Sequence, residues 1–168
     1  MKYITLEKGS ITNGPGLRTV LWVSGCSHQC YKCHNPETWD CDYGEEYNDE
    51  VFDKIIDSMK IASGLTLSGG DPMFEGNRDE ILKLCRKFKE ECPDKNIWMW
   101  TGYKYEEIQD FLPEILNYID IIIDGPFIHS LKSPNLKYRG SSNQRVIDVK
   151  KSVKERRVVQ DVEIIKND

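Results

Sequence analysis

The hydrophobic positions along the chain follow two alternating periods. Short runs rich in apolar and β-branched residues predict buried strands at residues 17–24, 64–68, 96–100 and 119–124. Between them, apolar residues at helical spacing predict helices over residues 49–63, 78–91 and 104–118. The last helix is expected to bend or restart near Pro113, because proline lacks a backbone donor. Two further strands are predicted at residues 145–149 and 158–165.

This alternation of strands and helices predicts an α/β fold with a largely parallel sheet. A complete eight-unit barrel needs roughly 250 residues, whereas this chain has 168. We therefore expect a partial (βα) barrel of about six units, open on one side, built as a single domain over residues 1–168. Turn-forming glycines follow several predicted strands, and loops at the carboxyl ends of parallel strands collect active residues.

Composition and charge narrow the possible functions. Hydrophobic residues make up 39% and charged residues 30% of the chain, as in soluble folded proteins. Its apolar runs are far shorter than the roughly 20 residues that cross a bilayer, and the first ten residues lack a signal-peptide core. We expect a cytoplasmic protein that does not bind membranes. The net charge of -5 gives no general attraction for nucleic acid.

The charges are unevenly spread along the chain. Residues 37–57 contain nine acidic side chains and one Lys, whereas residues 137–157 contain eight Lys or Arg against two acidic residues. Solvated surface is the simpler interpretation of both stretches, and docking of a partner is the alternative.

The six cysteines fall into two groups. Cys26, Cys30 and Cys33 form a CxxxCxxC loop directly after the first predicted strand, and Cys41 lies nearby; Cys85 and Cys92 belong to a helical stretch. Thiolates bind iron–sulfur clusters, and three of them leave one iron open to a substrate. A structural zinc site is closed by four ligands instead, which His28, His34 or Cys41 would complete in a zinc-stabilised binding module.

The spacing of Cys26, Cys30 and Cys33 resembles the cluster motif of the radical S-adenosylmethionine superfamily. The run from Gly69 to Pro72 is similar to that superfamily's glycine-rich motif. The run from Gly14 to Arg18, followed by Trp22 and Gly25-Cys26, resembles the signature of the glycyl-radical-enzyme activating enzymes. Within that group, residues 33–39, 100–103, 124–127 and 139–145 resemble the members that act on anaerobic ribonucleoside-triphosphate reductase.

The resemblance implies an oxidoreductase with two cofactors, a 4Fe-4S cluster and S-adenosyl-L-methionine. The cluster would be held by Cys26, Cys30 and Cys33, while the cofactor-binding residues would be Gly69, Gly70, Asp71, Thr101, Asp124 and His34. Reductive cleavage of S-adenosylmethionine would generate a glycyl radical on the reductase, and no side chain is assigned as a catalytic acid or base. Reduced flavodoxin or ferredoxin is the expected electron donor. Another glycyl radical enzyme, such as pyruvate formate-lyase, is the alternative partner.

Some positions depart from the resemblance or stay open. Lys32 stands where many superfamily members have an aromatic residue before the third cysteine, and Asn13 stands where the activating enzymes often have Asp. The segment at residues 139–145 offers hydrogen-bond donors suited to a carboxylate or a partner backbone, although an exposed polar loop explains them equally well. These donors are Arg139, Asn143, Gln144 and Arg145.

Overall fold

A computed structural model describes residues 1–165, so residues 166–168 of the expected domain lie outside the described residues. The strands are β1 (Lys2–Ser10), β2 (Arg18–Val23), β3 (Glu45–Glu46), β4 (Gly64–Gly69), β5 (Asn96–Trp100), β6 (Ile121–Asp124) and β7 (Arg145–Asp148). The helices are α1 (Asp49–Ser58), α2 (Arg78–Glu91), α3 (Tyr105–Phe111), α4 (Val149–Glu155) and α5 (Val162–Ile165). Short 3-10 turns cover Pro36–Trp39, Pro113–Asn117 and His129–Leu131.

The strands form one seven-stranded sheet in the order β3-β1-β2-β4-β5-β6-β7. The four neighbours β2, β4, β5 and β6 are parallel, and β1, β3 and β7 are antiparallel additions at the two edges. The α/β class and the largely parallel sheet are therefore confirmed. Within residues 1–165 the sheet is not closed into a barrel, and it contains three strand–helix–strand crossovers where about six units were expected.

The predicted helices form with small changes at their ends. The Asn48 side chain caps α1 by accepting from the Val51 backbone N–H at 3.2 Å, which satisfies a free donor of the first turn. This helix ends at Ser58, five residues before the predicted end, and the chain then turns into β4. The helix α2 has its predicted bounds. Pro113 separates α3 from a 3-10 turn, as the sequence predicted.

Two parts of the prediction fail. The first strand, β1, was not predicted, because its mixed polar and apolar residues give no clear strand signal. The strand predicted at residues 158–165 is wrong: Gln160 makes an isolated bridge to Ile147, and Val162–Ile165 form α5. In the part of the chain that the structure describes, no helix is long and apolar enough to span a membrane.

The main hydrophobic core lies between the helices and one face of the sheet. Alternate strand residues point to this face and are fully buried against the helices. They are Leu21, Val23, Leu65, Leu67, Ile97, Met99, Ile122 and Ile147, which belong to one core cluster with Ile55, Ile81, Phe88 and Ile108. Each such side chain stabilises the fold by roughly 1.5–3 kcal/mol, so the sheet and helices form a firm support for the loops at the strand ends.

The opposite face of the sheet is more polar and aromatic, and Arg18 is fully buried on it. Its guanidinium donates to the Leu65 carbonyl at 2.5 Å, to Thr66 Oγ1 at 3.0 Å and to Asn96 Oδ1. Burial lowers the pKa of Arg18 to about 10, so the side chain keeps its charge at neutral pH. These bonds tie together the starts of β2, β4 and β5, at the end of this face away from the cysteine loop.

Candidate functional site

A cavity of about 250 Å³ opens at the carboxyl ends of the parallel strands. Its lining comes from the cysteine loop, from the loops after β4, β5 and β6, and from the loop before β7. Eight of the nine site residues expected from the sequence line it: Cys26, Cys30, Cys33, His34, Gly69, Gly70, Asp71 and Thr101. The sheet thus brings together residues that lie up to 75 positions apart in the sequence.

The cysteine loop leaves β2 through Gly25, which has φ +93°. A Cβ atom there would lie 2.6 Å from the Phe74 ring, so only glycine fits. The Gly25 N–H donates to the Thr38 carbonyl at 2.8 Å, and the Cys26 N–H donates to the Trp39 carbonyl at 3.2 Å. Within the loop, Gln29 and Lys32 adopt left-handed φ values of +44° and +56°. The tightly wound backbone directs the three cysteines to one cavity.

The three thiols suit a metal cluster. Burial raises the pKa of Cys26 to about 11, and the nearby Asp71 carboxylate acts in the same direction. Burial also raises the pKa of Cys30. Metal binding must therefore displace protons from these thiols, as it does in other thiolate sites. Within residues 1–165 no fourth cysteine lines the cavity, and Cys41 is exposed outside it.

Gly69 and Gly70 press against the start of the cysteine loop. Gly69 has φ +111°, and a Cβ atom on it would lie 2.5 Å from the Val23 carbonyl oxygen. On Gly70 it would lie 2.6 Å from the Gly25 carbonyl oxygen. The Gly70 N–H donates to the Val23 carbonyl at 2.8 Å, which joins the two loops. Both glycines expose backbone to the cavity because they carry no side chain.

Asp71 connects three strand-end loops, although only 1% of its surface is exposed. Its Oδ1 accepts from Thr101 Oγ1 and from the Met73 N–H, both at 2.8 Å. Its Oδ2 accepts from the Gly102 N–H at 2.8 Å and lies 3.2 Å from His28 Nε2. The nearby Asp71 carboxylate raises the pKa of His28. Asp71 therefore holds the loops after β4 and β5 against the cysteine loop.

Asp124 is the one expected site residue that does not line the cavity. Its carboxylate is buried and accepts from the Arg145 guanidinium and, at 2.8 Å, from the Tyr105 N–H at the start of α3. Arg145 also pairs with Glu106 at 2.7 Å. These ion pairs raise the pKa of Arg145 further. The side chain of Asp124 supports the strand end from behind, and Gly125 takes its place in the lining.

The polar residues of the loop before β7 bond to that loop and to the loop after β6. Gln144 Oε1 accepts from the Gly140 N–H at 2.9 Å, and its Nε2 donates to the Gly125 carbonyl at 3.0 Å. Arg139 donates to the Gln144 carbonyl at 3.1 Å, and Asn143 donates to the Pro126 carbonyl at 2.8 Å. This network fixes the loop after β6, and Gln144 still reaches the cavity.

Aromatic residues complete the walls. His34 is exposed at the mouth, and its ring lies 5.5 Å from that of Phe127. Trp22, Trp100 and Phe127 line the cavity; all three belong to segments that carry the resemblance, but none was predicted as a site residue. The alternation of side chains along a strand could have predicted that Trp22 and Trp100 lie on the polar face of the sheet. Lys32 is not in the lining, because its ammonium lies over the exposed Tyr31 ring at 5.5 Å.

The site is that of an iron–sulfur protein, because three thiols and a glycine-rich strand end share one cavity. Residues 12–147 match the family model described as "4Fe-4S single cluster domain". The chain is 48% identical to the "Anaerobic ribonucleoside-triphosphate reductase-activating protein" of Vibrio cholerae, over 86% of this chain and 96% of that protein. The proteins of the same name from Escherichia coli K12 and phage T4 are each 41% identical over 87% of this chain, and the match covers 97% and 93% of them. This chain belongs to the family of anaerobic ribonucleoside-triphosphate reductase-activating proteins.

Proposed function

We propose that this protein generates a glycyl radical on anaerobic ribonucleoside-triphosphate reductase. The observation that carries the proposal is the shared cavity, in which Cys26, Cys30 and Cys33 face the exposed backbone of Gly69 and Gly70. Family membership supports both the cluster and the reaction. When bound, a 4Fe-4S cluster supplies the electron for reductive cleavage of S-adenosylmethionine, whose radical product removes hydrogen from the reductase glycine.

The three cysteines would hold the cluster through their thiolates and leave one iron open. The backbone at Gly69 and Gly70 would receive the amino group of S-adenosylmethionine, because no side chain blocks the approach. His34 and Phe127 offer aromatic faces at the mouth for the adenine ring. Thr101 belongs to the cavity wall, but its hydroxyl donates to Asp71 and accepts from the Tyr103 N–H at 3.1 Å.

Asp71 and Asp124 would act as positioning residues. The Asp71 oxygens accept from protein donors on two loops, so its main effect is to fix the cavity wall. Asp124 holds Arg145 and the start of α3 directly behind Gly125. In this proposal the protein supplies orientation and exclusion of water instead of an acid or a base.

The proposed reaction needs a folded domain, a reducing compartment and an electron donor. Residues 1–168 would work as one domain in the cytoplasm, where thiols stay reduced. The sheet would curve as a partial barrel, which is supported by the convergence of the ends of β2, β4, β5 and β6 on one cavity. Reduced flavodoxin or ferredoxin would supply the electron.

The test is an anaerobic reconstitution with iron and sulfide, followed by reduction with dithionite. We expect a brown cluster, formation of 5′-deoxyadenosine from S-adenosylmethionine, and a glycyl radical signal in electron paramagnetic resonance when the reductase is added. A protein that cleaves S-adenosylmethionine but activates only pyruvate formate-lyase would refute the choice of partner. One tightly bound zinc with no cleavage at all would favour the zinc-stabilised binding module.

A further inference from the structure

Two segments of opposite charge contact the cysteine loop. The segment at residues 37–46, here called the acidic side, carries five Asp or Glu and no Lys or Arg. The segment at residues 127–139, the basic side, carries Lys132, Lys137, Arg139 and His129 and no Asp or Glu. Both segments contain exposed charged residues. In a protein with a net charge of -5, such a separation of charge around one loop produces a directional electric field.

These two sides contact the cysteine loop from opposite edges of the sheet. The acidic side leads into the edge strand β3, and the carbonyls of Thr38 and Trp39 accept from the first residues of the cysteine loop. The basic side lies between β6 and the other edge strand, β7. There the His129 ring lies 5.8 Å from the ring of Tyr31 in the cysteine loop. A molecule that covers the cysteine loop therefore meets both charges.

Exposed apolar side chains lie in the cysteine loop and on the basic side. Tyr31 is 73% exposed, and Ile128 and Leu131 are 40% and 41% exposed. Within residues 1–165, Lys132 and the carboxylates of Glu37 and Asp42 take part in no ion pair. An apolar centre with a charged rim is the usual composition of a protein-binding surface, and rim charges chiefly steer and orient the partner.

We propose that the acidic and basic sides form an oriented docking surface for the reductase, with acidic groups of the reductase beside residues 127–139 and basic groups beside residues 37–46. This inference rests on the proposed function and adds to it the direction in which the glycine-bearing loop crosses the mouth. The reductase is the occupant because hydrogen transfer requires near contact between its glycine and the cavity, which opens at the carboxyl ends of the parallel strands.

The test uses the reconstituted holoenzyme with the reductase and dithionite as reductant. One double variant, Lys132→Glu with Lys137→Glu, reverses the basic side. A second, Glu37→Lys with Asp42→Lys, reverses the acidic side. The matched control is Lys54→Glu with Lys83→Glu, which makes the same charge change as the variant of the basic side, on exposed positions of α1 and α2. The measured quantity is the reductase concentration that gives a half-maximal glycyl radical signal.

We expect each rim variant to raise this concentration about 10-fold at low salt, and the difference to disappear at ~0.5 M salt. The control should match the unaltered protein. Tighter binding by the variant of the acidic side would overturn the two-sided arrangement, because it would mean that the partner surface is simply acidic. A rim variant that behaves like the control would also overturn the proposal.

Two further readouts separate this inference from others. Cleavage of S-adenosylmethionine without reductase should be the same in every variant; its absence in the unaltered protein would refute the proposed function, while direct titration of the two proteins would still test docking. A defect seen only with a flavodoxin donor, and not with dithionite, would assign the rim to the electron donor and overturn the proposal.

Discussion

At the scale of single residues, the glycines decide how closely the loops approach. Gly102 shows this best, because a Cβ atom there would lie 2.3 Å from the His28 ring. His28 belongs to the cysteine loop, and Gly102 donates its N–H to Asp71. The contact between the loop after β5 and the cysteine loop therefore requires glycine.

We predict that Gly102→Ala lowers cluster occupancy severalfold, because the added methyl group displaces His28 and the loop that carries the cysteines. Iron and sulfide per chain measure the effect after anaerobic reconstitution, and circular dichroism checks that the fold persists. The control is Gly76→Ala, whose methyl group meets only the Phe74 ring edge, at 3.1 Å. Equal iron content in the two variants would contradict the prediction.

The cysteines give a second prediction at this scale. Cys33→Ser should abolish stable cluster binding, since Cys33 lines the cavity, whereas Cys41→Ser should leave iron content unchanged, since Cys41 is exposed outside it. The absorbance of the reconstituted cluster measures both. Loss of the cluster in Cys41→Ser would show that the exposed thiol is a ligand and that the three-cysteine site is incomplete.

At the scale of elements, the sequence predicts the regular helices and strands but not the ion pairs that join them. The sequence alone predicted α2 and β5 to the residue, because their apolar periods are regular and their ends carry turn signals. It also predicted the cysteine loop and the glycine-rich strand end. It did not predict that Arg145 forms an ion pair with Asp124, since that pairing depends on the antiparallel register of β6 and β7. Contacts between distant segments leave no periodic trace in a sequence.

We predict that Arg145→Met destabilises the protein by about 3 kcal/mol, because it leaves the buried Asp124 carboxylate without its charged partner. Urea unfolding measures the change. Arg157→Met serves as the control, because its pair with Glu155 is exposed and such pairs contribute less than about 1 kcal/mol. If Arg145→Met loses as little stability as Arg157→Met, Asp124 has found another partner.

A pH dependence follows from Asp120, which lies before β6. Burial acts to raise its pKa, but hydrogen bonds from Lys150 and Lys89 outweigh burial, so the pKa is lowered. A lowered folded-state pKa gives stability that is present above the unfolded value of ~4 and lost as the pH falls through the folded value. Asp120→Asn should therefore be less stable at pH 7 and converge with the unaltered protein in acid.

Unfolding midpoints in urea, measured from pH 7 down to acid, test this dependence. Asp57→Asn is the matched control, since Lys60 also lowers the Asp57 pKa but the pair is exposed to solvent and screened. If the gap between Asp120→Asn and the unaltered protein stays constant over this range, the Asp120 ion pairs do not produce the acid sensitivity.

At the scale of the whole molecule, the core and the cysteine loop lie apart. The main core is formed by the helices and one sheet face, with residues such as Leu67, Met99 and Phe88. No cysteine of the CxxxCxxC loop belongs to it. We therefore expect chelation of the iron to leave the far-ultraviolet circular dichroism intact and to shift Tm by only a few degrees. A cooperative loss of structure on chelation would instead indicate a fold that depends on its metal.

Arg18 has a consequence for the sequence of events in catalysis. Its side chain is held by hydrogen bonds and covers the polar face of the sheet at the end away from the mouth. Within residues 1–165 the cavity opens at the carboxyl ends of the strands, so we expect small molecules and the reductase to share this opening. We expect S-adenosylmethionine to enter before the reductase docks, and methionine and 5′-deoxyadenosine to leave after it departs. We expect compulsory-order kinetics, in which excess reductase slows turnover and each docking event yields at most one radical.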